Sequence, residues 1–363
     1  MKKKWAPIAA GVSLVVMLVI CIVSIAESKR ESSYHVTRSM EIDHKNLEIT
    51  AYVERGRMTK DQLSDCVDGA FALCREYTDK YFDEESTTSE LGGMLDQQRK
   101  SGAGSYVLSP SSLVLVRAGL ALTDFSNGTY DMTAGALYHL YAEPDSEPTE
   151  EEIQRALSSC GTSRVTIDGN EVRLDSGVQL NLQDLADGYM CRMLEEYFVV
   201  CGISNVCIKY GDVVFANGGR LIPKGFLFWG SIEVQPFTVI IPDAYPDPNE
   251  DKQELLDAYC AWAARPQAAQ ANANYVDEVP FVSSKNGQPF DHDTGSVAVV
   301  LGNGTHAWYA HVVAHMFLSA GKDNAIKILR SNILETAFGL NIRYVRFEST
   351  SGETTVYDRL EEN

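Results

Sequence analysis

The sequence predicts an α+β fold with mixed sheets flanked by helices. Two periodicities indicate this: short segments alternate apolar and polar residues, as half-buried strands do, and longer segments repeat apolar residues every three or four positions, as amphipathic helices do. The composition agrees with a globular protein, since 45% of the 363 residues are hydrophobic and 22% are charged. No internal repeat is visible, so we expect a single domain with strands paired over long sequence distances.

In the first half of the chain, the pattern predicts a strand and then three helices. Alternation between Ser39 and Val53 favours the strand. Apolar spacing favours a helix from Lys60 to Phe82, and Ser109-Pro110 opens a second, mostly apolar helix that runs to Leu122. Pro148-Thr149-Glu150 starts the third helix, whose acidic first turn suits the positive end of the helix dipole.

The chain after the third helix is predicted to add several strands and two helices. Alternating segments surround Val165, Val172 and Val178. The remaining predicted elements, in chain order, are a helix from Leu182 to Val200, a strand from Asn205 to Tyr210, a buried strand from Ser296 to Leu301 and an apolar helix from His306 to Ser319.

The N-terminal residues predict export. Three lysines at positions 2–4 precede an uncharged stretch, Trp5 to Ala26, that is long enough to span a bilayer as a helix. Lysines before the span keep the N-terminus inside and place the rest of the chain outside. We therefore expect a single-pass protein of the cell membrane, with an anchor at 1–26, a linker at 27–38 and an extracytoplasmic domain at 39–363.

Two alternatives to the anchor remain open, and both also export the domain. Ser24-Ile25-Ala26 carries small residues at the spacing that a signal peptidase accepts. A lipoprotein attached at Cys21 is disfavoured because Ile20 is bulky where a small residue is expected.

Charge and cysteine content exclude several classes of function. The formal net charge of −19 argues against nucleic acid and against binding to an anionic membrane surface, since both need clustered Lys and Arg. No CxxC pair or zinc-ribbon spacing is present, which favours cysteines that pack as small buried residues and leaves one disulfide open. Apart from Cys21, the cysteines are Cys66, Cys74, Cys160, Cys191, Cys201, Cys207 and Cys260.

Four sequence blocks carry the most specific signal. In the first, residues 126–137, Asp131 and Thr133 present hydrogen-bonding side chains on alternate positions, and Gly135 permits close backbone approach. The others are residues 180–189, residues 208–212, and residues 296–300 with 310–317. In this order the blocks resemble the motifs of the FAD:protein FMN transferases, the ApbE family, whose fold is related to the T-fold. The resemblance covers roughly residues 80 to 340.

This resemblance implies an activity, its ligands and its partners. Members of the family bind FAD and Mg²⁺, cleave the pyrophosphate, release AMP and esterify FMN to a Thr or Ser hydroxyl of a partner protein, here an exported one. The family positions implied to bind FAD are Thr129, Tyr130, Asp131, Thr133, Asn181, Asp187 and Val282. The positions implied to bind the divalent metal are Asp184, His311 and His315.

The implied metal site departs from the family pattern. His311 and His315 replace an Asp and a Thr, and Asp184 offers a carboxylate where the family uses a backbone carbonyl. Residues four apart lie about 6 Å from each other on one helix face. Two imidazoles and one carboxylate suit Zn²⁺ or Fe²⁺ better than Mg²⁺. The alternative is two core histidines that bond to backbone carbonyls.

Other departures leave no catalytic acid or base identified. Asp187 replaces the family's Lys, Asn181 replaces an Asp, and residues 271–275 and 280–284 lack the family's side chains. Asp291, His292 and Asp293 lie nearby in sequence and are candidates to replace the missing acid or base, although a solvated acidic turn is the simpler interpretation. The competing functional hypothesis is therefore a catalytically degenerate module that binds flavin or metal on the same fold.

Overall fold

A computed structural model describes most of the chain after its N-terminal segment. The ranges described are 33–42, 44–54, 56–83, 86–142, 148–217, 220–223, 231–234, 258–264, 282–302 and 304–358. Among these residues, no helix is both long and apolar enough to cross a bilayer. The predicted anchor at 1–26 lies outside the described residues, as do residues 271–275.

One large antiparallel sheet forms the centre of the fold. Its strands lie in the order β1-β2-β6-β7-β10-β11-β12-β13. Their bounds are β1 Ser33–Ile42, β2 Lys45–Glu54, β6 Asn205–Tyr210, β7 Val213–Asn217, β10 Ala258–Ala264, β11 Thr294–Gly302, β12 Asn341–Ser349 and β13 Thr354–Asp358. Strands from both ends of the chain are therefore hydrogen-bonded into one sheet, as the prediction of long-range pairing requires.

Two small sheets complete the strand content of the described residues. One has the order β3-β5-β4 and the other pairs β8 with β9. Their bounds are β3 Gly104–Val107, β4 Val165–Asp168, β5 Glu171–Leu174, β8 Arg220–Pro223 and β9 Ser231–Val234. The expected α+β class is confirmed, but the sheets are not mixed. All ladders between the described strands are antiparallel, and only an isolated bridge between Ala134 and Gln179 is parallel.

Side-chain caps fix where several helices begin. Thr59 and Thr149 each form a capping box with the residue three positions later, and Ser109 caps the helix that Pro110 opens. The α-helices are α1 Lys60–Tyr77, α2 Glu90–Ser101, α3 Pro110–Ser126, α4 Gly135–Ala142, α5 Glu150–Leu157, α6 Gln183–Val200, α7 Ala310–Ala320, α8 Lys322–Arg330 and α9 Ile333–Phe338.

The core lies between the large sheet and three of these helices. α1 packs on β1 and β2, α6 on β6 and β7, and α7 on β10 and β11. All nine residues of β11 are buried, which explains its almost continuous apolar sequence. α6 and α7 also contact each other, so residues near their N-termini are brought together above the sheet.

The structure corrects three predicted elements. The single strand expected from Ser39 to Val53 is a hairpin, β1 and β2, whose turn places His44 at φ 57°. β1 begins inside the range 27–38 that we expected to be a linker. The segment around Val178 contributes only the bridge at Gln179. The helix expected from His306 to Ser319 begins with a 3-10 turn, Ala307–Tyr309, before α7.

The six cysteines whose side chains the structure describes are free thiols, so no disulfide forms among them.

Candidate metal centre

Two helices supply the residues of the candidate metal centre. Asp184 lies in the first turn of α6, and His311 and His315 lie four residues apart on α7. The approach of the two helices depends on Gly188, because a Cβ there would lie 1.9 Å from the backbone oxygen of Trp308, just before α7. The Gly-Tyr pair at 188–189 therefore has a packing role that helps to place the imidazoles beside Asp184.

The three side chains form one cluster, as predicted. A ligand atom from each lies within 4.8 Å of the others. The Nδ1 of His311 is 3.8 Å from Oδ1 of Asp184, and the Nδ1 of His315 makes a close ion-pair contact with Oδ2 of the same carboxylate. The two imidazole centroids are 4.6 Å apart. Ligands of one tetrahedral zinc ion lie about 3.4 Å apart, so small side-chain rotations would bring these atoms to a shared cation.

The polar atoms in this cluster favour a cation rather than a structural role. The Nδ1 of His311 is buried and has no hydrogen-bond partner. Burial lowers the pKa of His311 to about 3 despite the opposing charge of Asp184, so its imidazole is neutral at pH 7 and can bind a metal. Burial also acts to raise the pKa of Asp184, but His315, His311 and Lys45 outweigh it and lower that pKa to about 2.

These residues fit a divalent cation, and their chemistry favours one that accepts nitrogen ligands. A buried nitrogen without a partner faces an ionised carboxylate and a second imidazole, and a cation would satisfy all three. The alternative of core histidines bonded to backbone carbonyls does not describe His311, whose nearest charged neighbours are carboxylates. The donor set suits Zn²⁺ or Fe²⁺ rather than Mg²⁺, which prefers oxygen.

A buried ion pair, which no sequence pattern indicates, lies next to the cluster. The ammonium group of Lys45, at the start of β2, lies 2.6 Å from Oδ1 of Asp187, and both side chains are largely buried. Asp187 is the position where the resemblance implied an FAD-binding residue. In the structure its carboxylate contacts a lysine from another strand, and that lysine lies close enough to affect the pKa values of Asp184 and His311.

Asp212 is the second residue that sequence reasoning did not assign to the site. It follows β6 in the third motif block, and its Oδ2 lies 3.6 Å from Nε2 of His311. An acidic residue two positions after a predicted strand end was the available signal. The carboxylates of Asp184 and Asp212 therefore lie near different ring nitrogens of His311.

The first motif block forms a rigid turn between α3 and α4. Oδ1 of Asp131 accepts hydrogen bonds from the backbone N–H of Thr133 (2.8 Å) and from its hydroxyl (2.5 Å). The hydroxyl oxygen of Thr133 accepts in turn from the N–H of Gly161 at 2.7 Å. Thr129 donates its hydroxyl to the carbonyl of Ser126. The buried side chains of Asp131 and Thr133 therefore shape the backbone of this turn.

The first and second motif blocks lie against each other. The N–H of Gly135 donates to the carbonyl of Gln179, and the N–H of Asn181 donates to the carbonyl of Met132. Asn181 also accepts from the N–H of Gln183 through its side chain, at the start of α6. Met132 and Asn181 thus lie in one continuous region.

Tyr138 lies close enough to both Asp131 and Asp184 for their charges to affect its phenol group. Burial, together with the negative charges of Asp184 and Asp131, raises the pKa of its phenol group. Tyr138 was not predicted as a site residue, because an aromatic residue on a helix face is far more often part of a core.

Val282 lies in a short turn that contacts the first motif block. Its backbone forms a bridge with Pro289, and the side chain is buried. Lys285 in the same turn donates to Oδ1 of Asn127 at 3.1 Å. The structure therefore places Val282 near the turn that contains Thr129.

Farther along the chain, Nε2 of His292 lies 3.1 Å from the carbonyl oxygen of Ser319, which indicates a structural role for His292 at the end of α7.

Comparisons with known proteins found similarity to one family. A profile of the ApbE family matches residues 46–338. A curated FAD:protein FMN transferase from Vibrio cholerae serotype O1 is 25% identical over 142 residues, which are 38% of this chain. That alignment spans 42% of the relative, less than half of its length.

Solved structures extend the likeness to nearly the whole fold. The flavin transferase ApbE from Vibrio cholerae superposes with a TM-score of 0.63 at 18% identity, covering 90% of this chain and 97% of that one. The apo flavinyl transferase ApbE from Pseudomonas stutzeri gives a TM-score of 0.66 at 14% identity, covering 92% and 98%. At these identities the superpositions establish a shared fold.

Proposed function

Because this chain belongs to the ApbE family, we propose that it is a metal-dependent flavin transferase that moves FMN from FAD to a protein hydroxyl. The reaction breaks the P–O–P bond of FAD, forms a phosphoester between FMN and a Thr or Ser side chain, and releases AMP and a proton. The observation that carries the proposal is the convergence of Asp184, His311 and His315 from two helices of the family-matched region.

Asp184, His311 and His315 would hold the divalent cation. Such an ion, when bound, neutralises charge on the phosphates of the nucleotide. The chain's own contribution is to fix the ligands: α6 orients Asp184, α7 orients both imidazoles, and the close approach at Gly188 sets the spacing between the helices. We propose Zn²⁺ or Fe²⁺ as the ion on the basis of the nitrogen donors.

Other residues of the chain position the nucleotide in this proposal. The turn that contains Asp131 and Thr133 presents a fixed backbone, since both side chains are buried and hydrogen-bonded within it. Lys45 neutralises the carboxylate of Asp187, which would otherwise repel the phosphates of the nucleotide. No described side chain is assigned as the acid or base that takes the proton of the acceptor hydroxyl.

The acceptor in this proposal is an exported protein. Its support is the N-terminal pattern, in which lysines at 2–4 precede an uncharged stretch long enough to span a bilayer. The same pattern supports a location at the cell membrane, with the transferase domain on the outer side.

The test is AMP release from FAD by the purified chain in the presence of Zn²⁺, Fe²⁺, Mn²⁺ or Mg²⁺ separately. We expect release with a metal that accepts nitrogen ligands, and a loss of at least about tenfold in the His311→Ala/His315→Ala double variant. The matched control is His292→Ala, because His292 lies outside the cluster. Release of AMP that needs neither histidine would contradict the metal assignment.

A second candidate function is a non-catalytic module that binds flavin or metal. It is favoured by one observation: the carboxylate of Asp187 contacts Lys45, so the lysine is already neutralised where an anionic nucleotide would approach. The same experiment separates the two functions. FAD binding without AMP release, with every metal tried, would favour the binding module.

A further inference from the structure

His311 makes two different electrostatic contacts, one through each ring nitrogen. Its Nδ1 points to the cluster and lies 3.8 Å from Asp184, without a hydrogen-bond partner. Its Nε2 lies 3.6 Å from Oδ2 of Asp212. The two nitrogens are on opposite edges of the imidazole, so Asp212 contacts the edge that faces away from Asp184. The cluster of ligand atoms accordingly contains Asp184, His311 and His315 without Asp212.

A neutral imidazole has one N–H and one lone pair, and each ring nitrogen of His311 faces a carboxylate, which only accepts hydrogen bonds. A cation in the cluster decides between the two nitrogens, because it takes the lone pair of Nδ1. The proton then lies on Nε2, the nitrogen that faces Asp212. A shift of about half an ångström would bring Nε2 and Oδ2 into normal hydrogen-bond range.

The position of Asp212 is itself fixed by a tight turn. Gly211 and Asp212 connect β6 to β7, whose end residues Tyr210 and Val213 are paired. Gly211 has φ +55°, and a Cβ there would meet Oδ2 of Asp187 at 2.5 Å. A glycine at the first central position with positive φ is typical of a two-residue hairpin turn. The turn thus rests on the Lys45–Asp187 pair and presents Asp212 to His311.

We propose that Asp212 is a positioning residue for the metal site: it accepts a hydrogen bond from Nε2 of His311 and so directs Nδ1 of His311 to the cation. The inference rests on the proposed function, because it requires a metal at Asp184, His311 and His315. Carboxylates that hold a metal-ligating histidine through its second nitrogen raise metal affinity by about 10- to 100-fold. Asp212 does not ligate the ion in this arrangement.

The first test measures the affinity of the purified chain for Co²⁺, by visible absorption, and for Zn²⁺, by competition. We expect Asp212→Ala to weaken both by about 10- to 100-fold, and Asp212→Asn to weaken them less because an amide oxygen still accepts a hydrogen bond. Asp168→Asn is the control, since it makes the same change at the exposed end of β4. Unchanged affinity in Asp212→Ala, with the fold intact by circular dichroism, overturns the proposal.

The second test reads the histidine tautomer in the Zn²⁺-loaded chain. Long-range ¹H–¹⁵N correlation spectra distinguish Nδ1–H from Nε2–H, and His311→Ala assigns the signal among the seven histidines. We expect Nε2–H at His311 in the parent chain and a mixture of tautomers in Asp212→Ala. Nδ1–H in the parent chain would overturn the proposal.

These measurements separate the inference from the proposed function. If the parent chain binds Co²⁺ and His311→Ala loses it, while Asp212→Ala binds as tightly as the parent, only the role of Asp212 is refuted. If the parent chain binds neither Co²⁺ nor Zn²⁺, the metal site of the proposed function and the role of Asp212 are refuted together.

Discussion

At the scale of single residues, the pair formed by Lys45 and Asp187 is more buried than the pair formed by Lys209 and Glu48 on the same sheet. The side chains of Lys45 and Asp187 are 18% and 4% exposed, whereas those of Lys209 and Glu48 are 44% and 35% exposed. Removal of one partner from a buried pair leaves a charge in a poorly solvated place, while a surface pair is screened by water.

Lys45→Met is therefore expected to destabilise the chain by about 3 kcal/mol, because the carboxylate of Asp187 loses its ammonium partner. Lys209→Met is the matched control, with an expected loss below about 1 kcal/mol. Urea unfolding of both variants measures the difference in the free energy of unfolding. Equal losses would show that burial of the Asp187 pair has no energetic consequence.

A second prediction at this scale concerns pH. The pKa of His311 in the folded chain is lowered to about 3, below its ordinary value of 6.5, so the unfolded chain binds more protons between these two pH values. The free energy of unfolding should fall as the pH is lowered from 6.5 toward 3 in the presence of a chelator. Asp184, with a folded pKa of about 2 against an ordinary 3.8, adds a further loss below pH 4.

Denaturant unfolding of the parent chain and of His311→Gln across pH 7 to 4 checks this sign. The variant lacks the titrating imidazole, so its stability should depend less steeply on pH over this range. Parallel pH profiles for the two proteins would contradict the burial of a neutral imidazole at this position.

At the scale of elements, the candidate site depends on how closely α6 approaches the start of α7. Gly188→Ala places a methyl group where the backbone oxygen of Trp308 now lies, and backbone cannot rotate away as a side chain can. We expect a loss of about 1–3 kcal/mol in unfolding free energy and weaker Co²⁺ binding, since the helices must move apart. Val199→Ala, at an exposed position near the end of α6, is the control. Unchanged metal affinity in Gly188→Ala would show that the metal site does not depend on this helix contact.

The same scale shows what the sequence could and could not predict. The pairing of His311 with His315 follows from helical spacing within one segment, and Asp184 follows from the motif resemblance. Lys45 and Asp212 reach the site through the pairing of β2 with β6, which matches Leu47 to Tyr210 and brings the start of β2 near the turn after β6. Periodicity gives no information on such a register, so neither residue was predicted.

The error in the first predicted strand has a local cause. The alternation of apolar residues in the hairpin predicts one strand. The turn residue His44 adopts a left-handed backbone conformation that sequence patterns signal mainly through Gly, Asn or Asp. Two capped helices were predicted from side-chain signals at their starts, Ser109-Pro110 and Thr149 with the acidic turn after it. The helix Glu90–Ser101, which Ser89 caps, was not predicted.

At the scale of the whole molecule, the chain keeps the fold of its family, and the motif resemblance implies that the residues at the proposed cation site differ. Its superpositions cover 90% or more of the chain at 14–18% identity, so the packing of helices on the sheet tolerates extensive substitution. A site has less tolerance, because each donor type selects particular ions. We therefore propose that this member of the family binds its cation through two histidines and one aspartate.

The most direct test of that claim is the metal content and affinity of the purified chain. We expect about one equivalent of Zn²⁺ or Co²⁺ per chain, in preference to Mg²⁺, and loss of that binding in the His311→Ala/His315→Ala double variant but not in His292→Ala. Isothermal titration with each ion, combined with elemental analysis, measures both quantities. Zn²⁺ binding that survives the double substitution, or a chain that binds Mg²⁺ and neither Zn²⁺ nor Co²⁺, would contradict the account.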